Sequence, residues 1–186
     1  MTGRIRITGG RLRGRFLPVE PGVRPTEGQV REALFSIWQT RLEGALFLDL
    51  FAGSGVMGME ALSRGAHRVT FVEEKARVLR SLRGAVETMG EADETRWIRA
   101  RIPEELKAVE RTEPEGFDLI FADPPYAYPL YESLVGAAGK LLRDEGELAV
   151  EHSVRKCIEP DPGSEVEVVD RREYGETFLS FFVRSG

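Results

Sequence analysis

Residues 45–58 read Ala-Leu-Phe-Leu-Asp-Leu-Phe-Ala-Gly-Ser-Gly-Val-Met-Gly. A short apolar run that stops at a glycine-rich turn and leads into helix-forming residues is a strand–turn–helix unit. The run predicts a buried strand over 45–50 and a helix starting near Val56. The turn contains Gly53-x-Gly55-x-x-Gly58, a spacing that lets backbone approach a nucleotide and turns free helix N–H groups toward it. On their own these glycines also suit a dinucleotide, so they narrow the fold more than the function.

The pattern then repeats. Strands are expected over 68–72, 96–99, 117–122 and 147–151, with helices over 75–89, after Pro103, and over 131–142. Two last strands, 166–174 and 177–183, join at a tight turn, Gly175-Glu176. Alternating β and α elements predict an α/β fold with a doubly wound, mostly parallel, seven-stranded sheet and an antiparallel hairpin at its end. No internal repeat or interdomain linker interrupts it.

Composition excludes several classes. Of 186 residues, 41% are hydrophobic and 31% charged, too apolar a balance for a disordered chain. No apolar run nears the ~20 residues of a membrane helix, and the N-terminus lacks the apolar core of a signal peptide. One cysteine, Cys157, and two histidines leave no internal disulfide and no metal cluster. A cytoplasmic, metal-free, monomeric protein without a membrane partner is expected.

Charge is unevenly spread. Residues 1–41 carry eight arginines against three glutamates, net +5, and the rest of the chain is net −10. A basic arm on an acidic body suits a polyanionic partner, although base composition or a thermophilic source also enriches arginine. Residues 4–17 alternate around Gly9-Gly10, which predicts a β-hairpin with a two-residue loop. In that register Thr8 faces Arg11, Arg6 faces Arg13 and Arg4 faces Arg15, so Arg4, Arg6, Arg11, Arg13 and Arg15 share one face. Like charges facing each other destabilise a hairpin, which points to phosphate contacts. A loop follows, then Thr26 as N-cap and Gln29 three residues later, opening a helix expected to reach about Leu42.

Two carboxylates stand where strands end. Glu73 closes the second strand, 20 residues after Gly53, where an acidic side chain can accept from both ribose hydroxyls. Asp49 occupies a strand position that a dinucleotide site leaves apolar, and its carboxylate suits the amino group of the methionine moiety of S-adenosylmethionine. The fourth strand runs into Asp123-Pro124-Pro125-Tyr126. The prolines fix φ and remove two donors, which sets the Pro124 carbonyl beside the Asp123 carboxylate as paired acceptors for an exocyclic amine. Tyr126 offers a ring on which a base can stack. His152, Cys157, Trp38, Trp97, Phe181 and Phe182 read as structural or incidental residues.

Asp123-Pro124-Pro125-Tyr126 with Asp49-Leu50-Phe51-Ala52-Gly53-Ser54-Gly55 resembles the Rossmann-like class I S-adenosylmethionine-dependent amino-methyltransferases. Residues 7–15, Arg24-Pro25-Thr26 with Val30-Arg31-Glu32, and Tyr174-Gly175-Glu176-Thr177 are similar to the bacterial 16S rRNA guanine-N2 methyltransferase family, whose members modify guanine 966 of the small subunit. The resemblance implies that Thr26, Asp49, Phe51, Gly53, Ser54, Gly55, Glu73, Ile102 and Asp123 contact the cofactor and that Asp123 to Tyr126 form the catalytic loop. It further implies 16S rRNA, free or in an assembling 30S subunit, as partner. Arg24 joins the hairpin arginines as an RNA contact. Residues 1–25 form the RNA-binding extension and 26–186 the methyltransferase domain. Such enzymes often carry Asp or Asn after the third strand; here Arg99-Ala100-Arg101-Ile102 offers neither, which leaves adenine to the Ile102 backbone and apolar packing. A DNA adenine-N6 methyltransferase can share Asp-Pro-Pro-Tyr, and a dinucleotide oxidoreductase would leave that motif unused.

Overall fold

The computed structural model describes residues 3–23, 28–125 and 127–185. Arg24, Thr26 and Tyr126 therefore lie outside the described residues. In chain order the elements are β1 (Gly3–Arg6), β2 (Phe16–Val19), α1 (Gly28–Ile37), β3 (Leu46–Leu50), α2 (Val56–Ser63), β4 (Arg68–Val72), α3 (Ala76–Met89), β5 (Thr95–Ile98), α4 (Lys107–Glu110), β6 (Phe117–Ala122), α5 (Tyr131–Gly139), β7 (Leu142–Ser153), β8 (Val166–Tyr174) and β9 (Thr177–Arg184).

The expected α/β architecture is present. Seven strands form one sheet in the order β5-β4-β3-β6-β7-β9-β8. The first five are parallel, and β9 and β8 are antiparallel to their neighbours. The winding direction reverses between β3 and β6, which opens a crevice beyond their carboxyl ends. Phe47, Val69, Phe71, Leu119 and Phe121 face a layer that includes Leu34 and Phe35 of α1, Met59 and Leu62 of α2, and Leu82 and Val86 of α3. Leu48, Leu50, Val72, Ile120 and Val150 face the other layer, with Leu134 and Val135 of α5. In α3 the buried residues Val78, Leu82 and Val86 recur every four positions, the stripe a helix needs to lie on a sheet. Gly58 lets α2 settle closely, because a Cβ there would meet the Phe71 ring at 2.3 Å.

The N-terminal hairpin forms in a different register from the one expected. Arg4 lies opposite Pro18 and Arg6 opposite Phe16, with Ile5 opposite Leu17. The connection spans residues 7–15 and is closed by Ile7 N–H to Arg15 O and Gly14 N–H to Ile7 O, both 2.9 Å. The cause is tertiary. Gly9 and Gly10 press onto the end of α2, where a Cβ on Gly10 would sit 1.8 Å from the Ser63 carbonyl oxygen. The Ser63 hydroxyl accepts from Leu12 N–H at 2.8 Å and donates to Gly9 O at 2.5 Å. Ile7, Leu12 and Leu17 join the same core as the sheet. Arg11 turns back to pair with Glu91 at 2.5 Å. The five-arginine ladder is thus corrected: Arg4, Arg6, Arg13 and Arg15 are exposed, on strand and turn, and Arg11 is an ion-pair partner. The hairpin segment thus shares the core of the body.

β7 is also longer than the 147–151 expected. It begins at Leu142 opposite Phe117, and its register with β6 then shifts so that Leu119 meets Glu147. The intervening Glu145 adopts φ 59°, the strained backbone of a bulge. The helix after the hairpin stops at Ile37, short of Leu42.

A buried carboxylate holds the hairpin down. Glu60 on α2 is fully buried. It accepts from Thr8 N–H at 2.5 Å, the Thr8 hydroxyl at 2.7 Å and Gly9 N–H at 3.2 Å. It also faces Arg64 at 3.1 Å and Arg31 of α1 at 3.4 Å. Burial works against the charge of the Arg31 guanidinium, and Glu60 supports it. Glu60→Ala should therefore cost about 3–5 kcal/mol, the usual result of leaving one charge of a buried set uncompensated. Urea denaturation checks this, and amide exchange at Thr8 and Gly9 should quicken. A loss below about 1 kcal/mol would show that the network is dispensable.

Candidate active site

A cavity of about 520 Å³ occupies the crevice at the carboxyl ends of the strands. Among the sequence-derived residues, Asp49, Phe51, Gly53, Ser54, Glu73, Ile102, Asp123, Pro124 and Pro125 line it together. Gly55 stands just behind, as the N-cap of α2. The hairpin arginines do not line it.

Asp49, in β3, is 2% exposed, and its Oδ2 accepts from Gly58 N–H at 2.9 Å. The bond ties the sheet to the first turn of α2, where the helix dipole favours negative charge. Burial nonetheless pushes the Asp49 carboxyl well above the ordinary range, and the nearby Asp123 and Glu73 push the same way. Glu73, just past β4, accepts from Gly53 N–H at 3.1 Å and from Lys75 N–H at 2.8 Å. Its carboxylate is thereby set against the glycine turn that the 20-residue spacing pointed to. Between them Phe51 adopts φ 60°, a left-handed conformation that costs a bulky residue roughly 1–3 kcal/mol and is typical of functional turns.

The far wall was not read from the sequence. Tyr128, Tyr131, Glu151, His152, Ser153 and Thr177 complete the cavity, and Gly22 and Val23 reach it from the segment after the hairpin. The Tyr128 hydroxyl donates to Ile102 O at 3.0 Å, and burial raises its pKa. Its ring meets Phe51 edge-on, with centroids 5.3 Å apart. Lys156 donates to Tyr128 O at 2.7 Å and lies 4.6 Å over the Tyr131 ring, which steadies the chain at Tyr128 and Tyr131. His152 is buried. Its Nε2 lies 2.8 Å from Ser180 Oγ and its Nδ1 3.1 Å from Ser153 O, and burial lowers its pKa. A buried histidine with both ring nitrogens engaged forms part of the cavity wall. The signal for this wall was the rule that ligands gather at strand carboxyl ends, applied to β7 as well as β3 and β6.

The lining divides chemically. One end offers carboxylates and backbone from Asp49, the glycine turn and Glu73, with Ala100 and Ile102 as an apolar floor. That set fits a nucleoside joined to an amino acid, with acceptors for ribose and for an ammonium group. The other end offers Asp123, the two prolines and aromatic rings, fit for a flat amine-bearing group. The two ends meet where β3 and β6 pair, Leu50 beside Ala122.

A family model described as conserved hypothetical protein 95 matches residues 5–183. Ribosomal RNA small subunit methyltransferase D of Escherichia coli (strain K12) is 39% identical over 152 residues, 81% of this chain and 72% of that protein. The chain belongs to the small subunit methyltransferase D family. The family also bears out the resemblance drawn from the motifs. A putative rRNA methyltransferase of Bacillus subtilis (strain 168), YlbH, is 29% identical over 98% of this chain and all of its own length. The solved structure of putative methyltransferase yhhF from Escherichia coli superposes with a TM-score of 0.79 at 32% identity, over 99% of each chain. The class I methyltransferase architecture of the methyltransferase D family is thus the architecture seen here.

The raised Asp49 pKa carries a stability consequence. A carboxyl whose folded pKa exceeds its unfolded value opposes folding once pH rises through that interval, and is neutral in both states below it. Asp49→Asn should therefore stabilise the ligand-free protein at pH 7, on the order of 1 kcal/mol or about 3 °C for a chain of this size. The gain should vanish below about pH 4, under the ordinary aspartate pKa. Thermal melts at pH 7 and pH 4 decide it. A variant less stable than the parent at pH 7 would mean that the Gly58 bond outweighs the desolvation.

Proposed function

We propose that this chain is an S-adenosylmethionine-dependent rRNA methyltransferase that transfers a methyl group to the exocyclic N2 amine of a guanine, position 966, in small-subunit 16S rRNA. The observation that carries the reading is one continuous cavity in which the glycine turn with Glu73 faces Asp123-Pro124-Pro125. The names of the relatives support methylation of small-subunit rRNA.

In this reading Glu73 accepts from the ribose hydroxyls, Asp49 and the turn at Gly53, Ser54 and Gly55 receive the methionine moiety, and Phe51 and Ile102 pack on the nucleoside. Thr26 belongs to the same cofactor set. Bound there, S-adenosylmethionine supplies an electrophilic methyl on its sulfonium. The guanine N2 lone pair is delocalised into the ring and is a poor nucleophile. Asp123 Oδ and the Pro124 carbonyl accept from its two N–H bonds, which turns the lone pair toward the methyl and gives the departing proton an acceptor at Asp123. In-line transfer needs alignment above all, and the prolines supply it by fixing the backbone at the acceptors. The target base leaves its stack to enter, and Tyr126 offsets part of that cost by stacking. Arg4, Arg6, Arg13 and Arg15 on the exposed hairpin, with Arg24, hold RNA phosphates; Arg11 contributes through its bond to Glu91.

Two experiments test this. Asp123→Ala should lower single-turnover transfer of labelled methyl to small-subunit rRNA by at least about 100-fold, with S-adenosylhomocysteine affinity held within a few-fold. A rate within a few-fold of the parent would remove Asp123 from the chemistry. Nucleoside mass spectrometry of the product reads the methylated atom. Replacing Arg4, Arg6 and Arg13 with Ala should weaken RNA binding and flatten its log–log salt dependence by about 0.7 for each phosphate that the protein no longer neutralises. An unchanged slope would mean that the arginines only solvate an outer face.

A further inference from the structure

The cavity wall holds a second carboxylate level with Asp123. β6 and β7 run parallel with Ala122 beside Val150, so the next residue on each chain, Asp123 and Glu151, stands at the same height on the sheet's edge. Neighbouring strands lie about 4.8 Å apart, and residues two apart share a face. Asp123 and Glu151 therefore continue the face of Phe121 and Ala149, the one that the layer of α1 and α2 covers. Both line the cavity. Glu151 is only 8% exposed, and its backbone is held from the other side by β9, where it pairs with Leu179. Its carboxylate is thus part of a fixed wall and not a surface charge that happens to lie near.

Ionised carboxylates accept hydrogen bonds and donate none. Two of them side by side select a ligand edge with donors on adjacent atoms. Among the bases that carry an exocyclic amine, guanine alone has such an edge, N1–H beside the N2 amine. Adenine sets its N6 amine beside a bare N1, and cytosine its N4 amine beside a bare N3. A second carboxylate would face a lone pair in either of those.

We infer that Glu151 selects guanine, its carboxylate accepting the N1–H while Asp123 accepts from the N2 amine beside it. The inference rests on the proposed transfer to guanine N2 and names the residue that reads the base. Asp123 alone would tolerate any amine of the right height, so Glu151 is a specificity-determining residue, and a site built to receive a hydrogen bond rejects strongly the analogue that lacks it.

The test uses a small-subunit rRNA fragment carrying either guanosine or 2-aminopurine at the target position. The analogue keeps the N2 amine and replaces N1–H with an acceptor. The parent enzyme should prefer guanosine in kcat/KM by at least about 100-fold. In Glu151→Gln the side-chain amide can donate to the bare N1, and the preference should shrink at least tenfold. Glu151→Asp keeps an acceptor and should retain more of the preference than Glu151→Gln, at a lower rate. S-adenosylhomocysteine affinity of both variants reports that they are folded. If the preference stays within threefold of the parent in Glu151→Gln, the inference is overturned while the proposed function stands. If mass spectrometry of the parent's product gives no N2-methylguanosine, the proposed function falls first and this reading with it.

Discussion

Glu60 is where the parts of this protein are joined. A fully buried carboxylate on α2 takes its donors from Thr8 and Gly9 of the hairpin connection and from Arg64 on its own helix, and it forms an ion pair with Arg31 on α1. Each of those groups would be expensive to bury alone, so none can leave without exposing the others. Two residues earlier the same helix is bound at Gly58 to Asp49 of the sheet. α2 is therefore fastened by carboxylates to the hairpin on one side and to the cavity floor on the other. The hairpin's exposed arginines are held in a fixed relation to the glycine turn, although about 40 residues separate them in the chain.

The cavity concentrates acidity. Asp49, Glu73, Asp123 and Glu151 all project from the carboxyl ends of parallel strands into one crevice. Two of the four are tied differently: Asp49 to a helix turn and Glu73 to two backbone amides. What remains is a field that favours a cation and ligand edges rich in donors. Apolar and aromatic groups such as Phe51, Ile102, Tyr128 and Tyr131 make up much of the remaining lining, beside the polar Ser54, Lys75, His152, Ser153 and Thr177.

Much of this was legible in the chain because it rests on local rules. β6 and β8 fall where alternation and apolar runs put them, over 117–122 and 166–174. The glycine turn and Glu73 meet because one strand–helix–strand unit brings them together. The failures share a cause. The Gly9-Gly10 turn obeyed good local chemistry, and docking against Ser63 and Glu60 overrode it. The start of β7 was missed because residues 143–146, Arg-Asp-Glu-Gly, carry no apolar alternation and join the strand through a bulge. Tyr128, Tyr131 and Glu151 went unread as site residues because their nearness to Asp123 depends on strand order. Positions 123 and 151 are neighbours only once β6 lies beside β7.

β9 follows β8 in the chain but lies between β8 and β7 in the sheet. While the protein is being synthesised, β7 thus has an open edge until residues 177–184 emerge, and an open edge is a template for wrong pairing. The same strand carries Thr177 of the cavity wall and Ser180, the partner of His152. That side of the crevice therefore closes late, after the glycine turn and residues 123–125 have been made. A nascent chain that stops short of β9 would carry the glycine turn, Glu73 and Asp123 without the strand that completes the cavity wall.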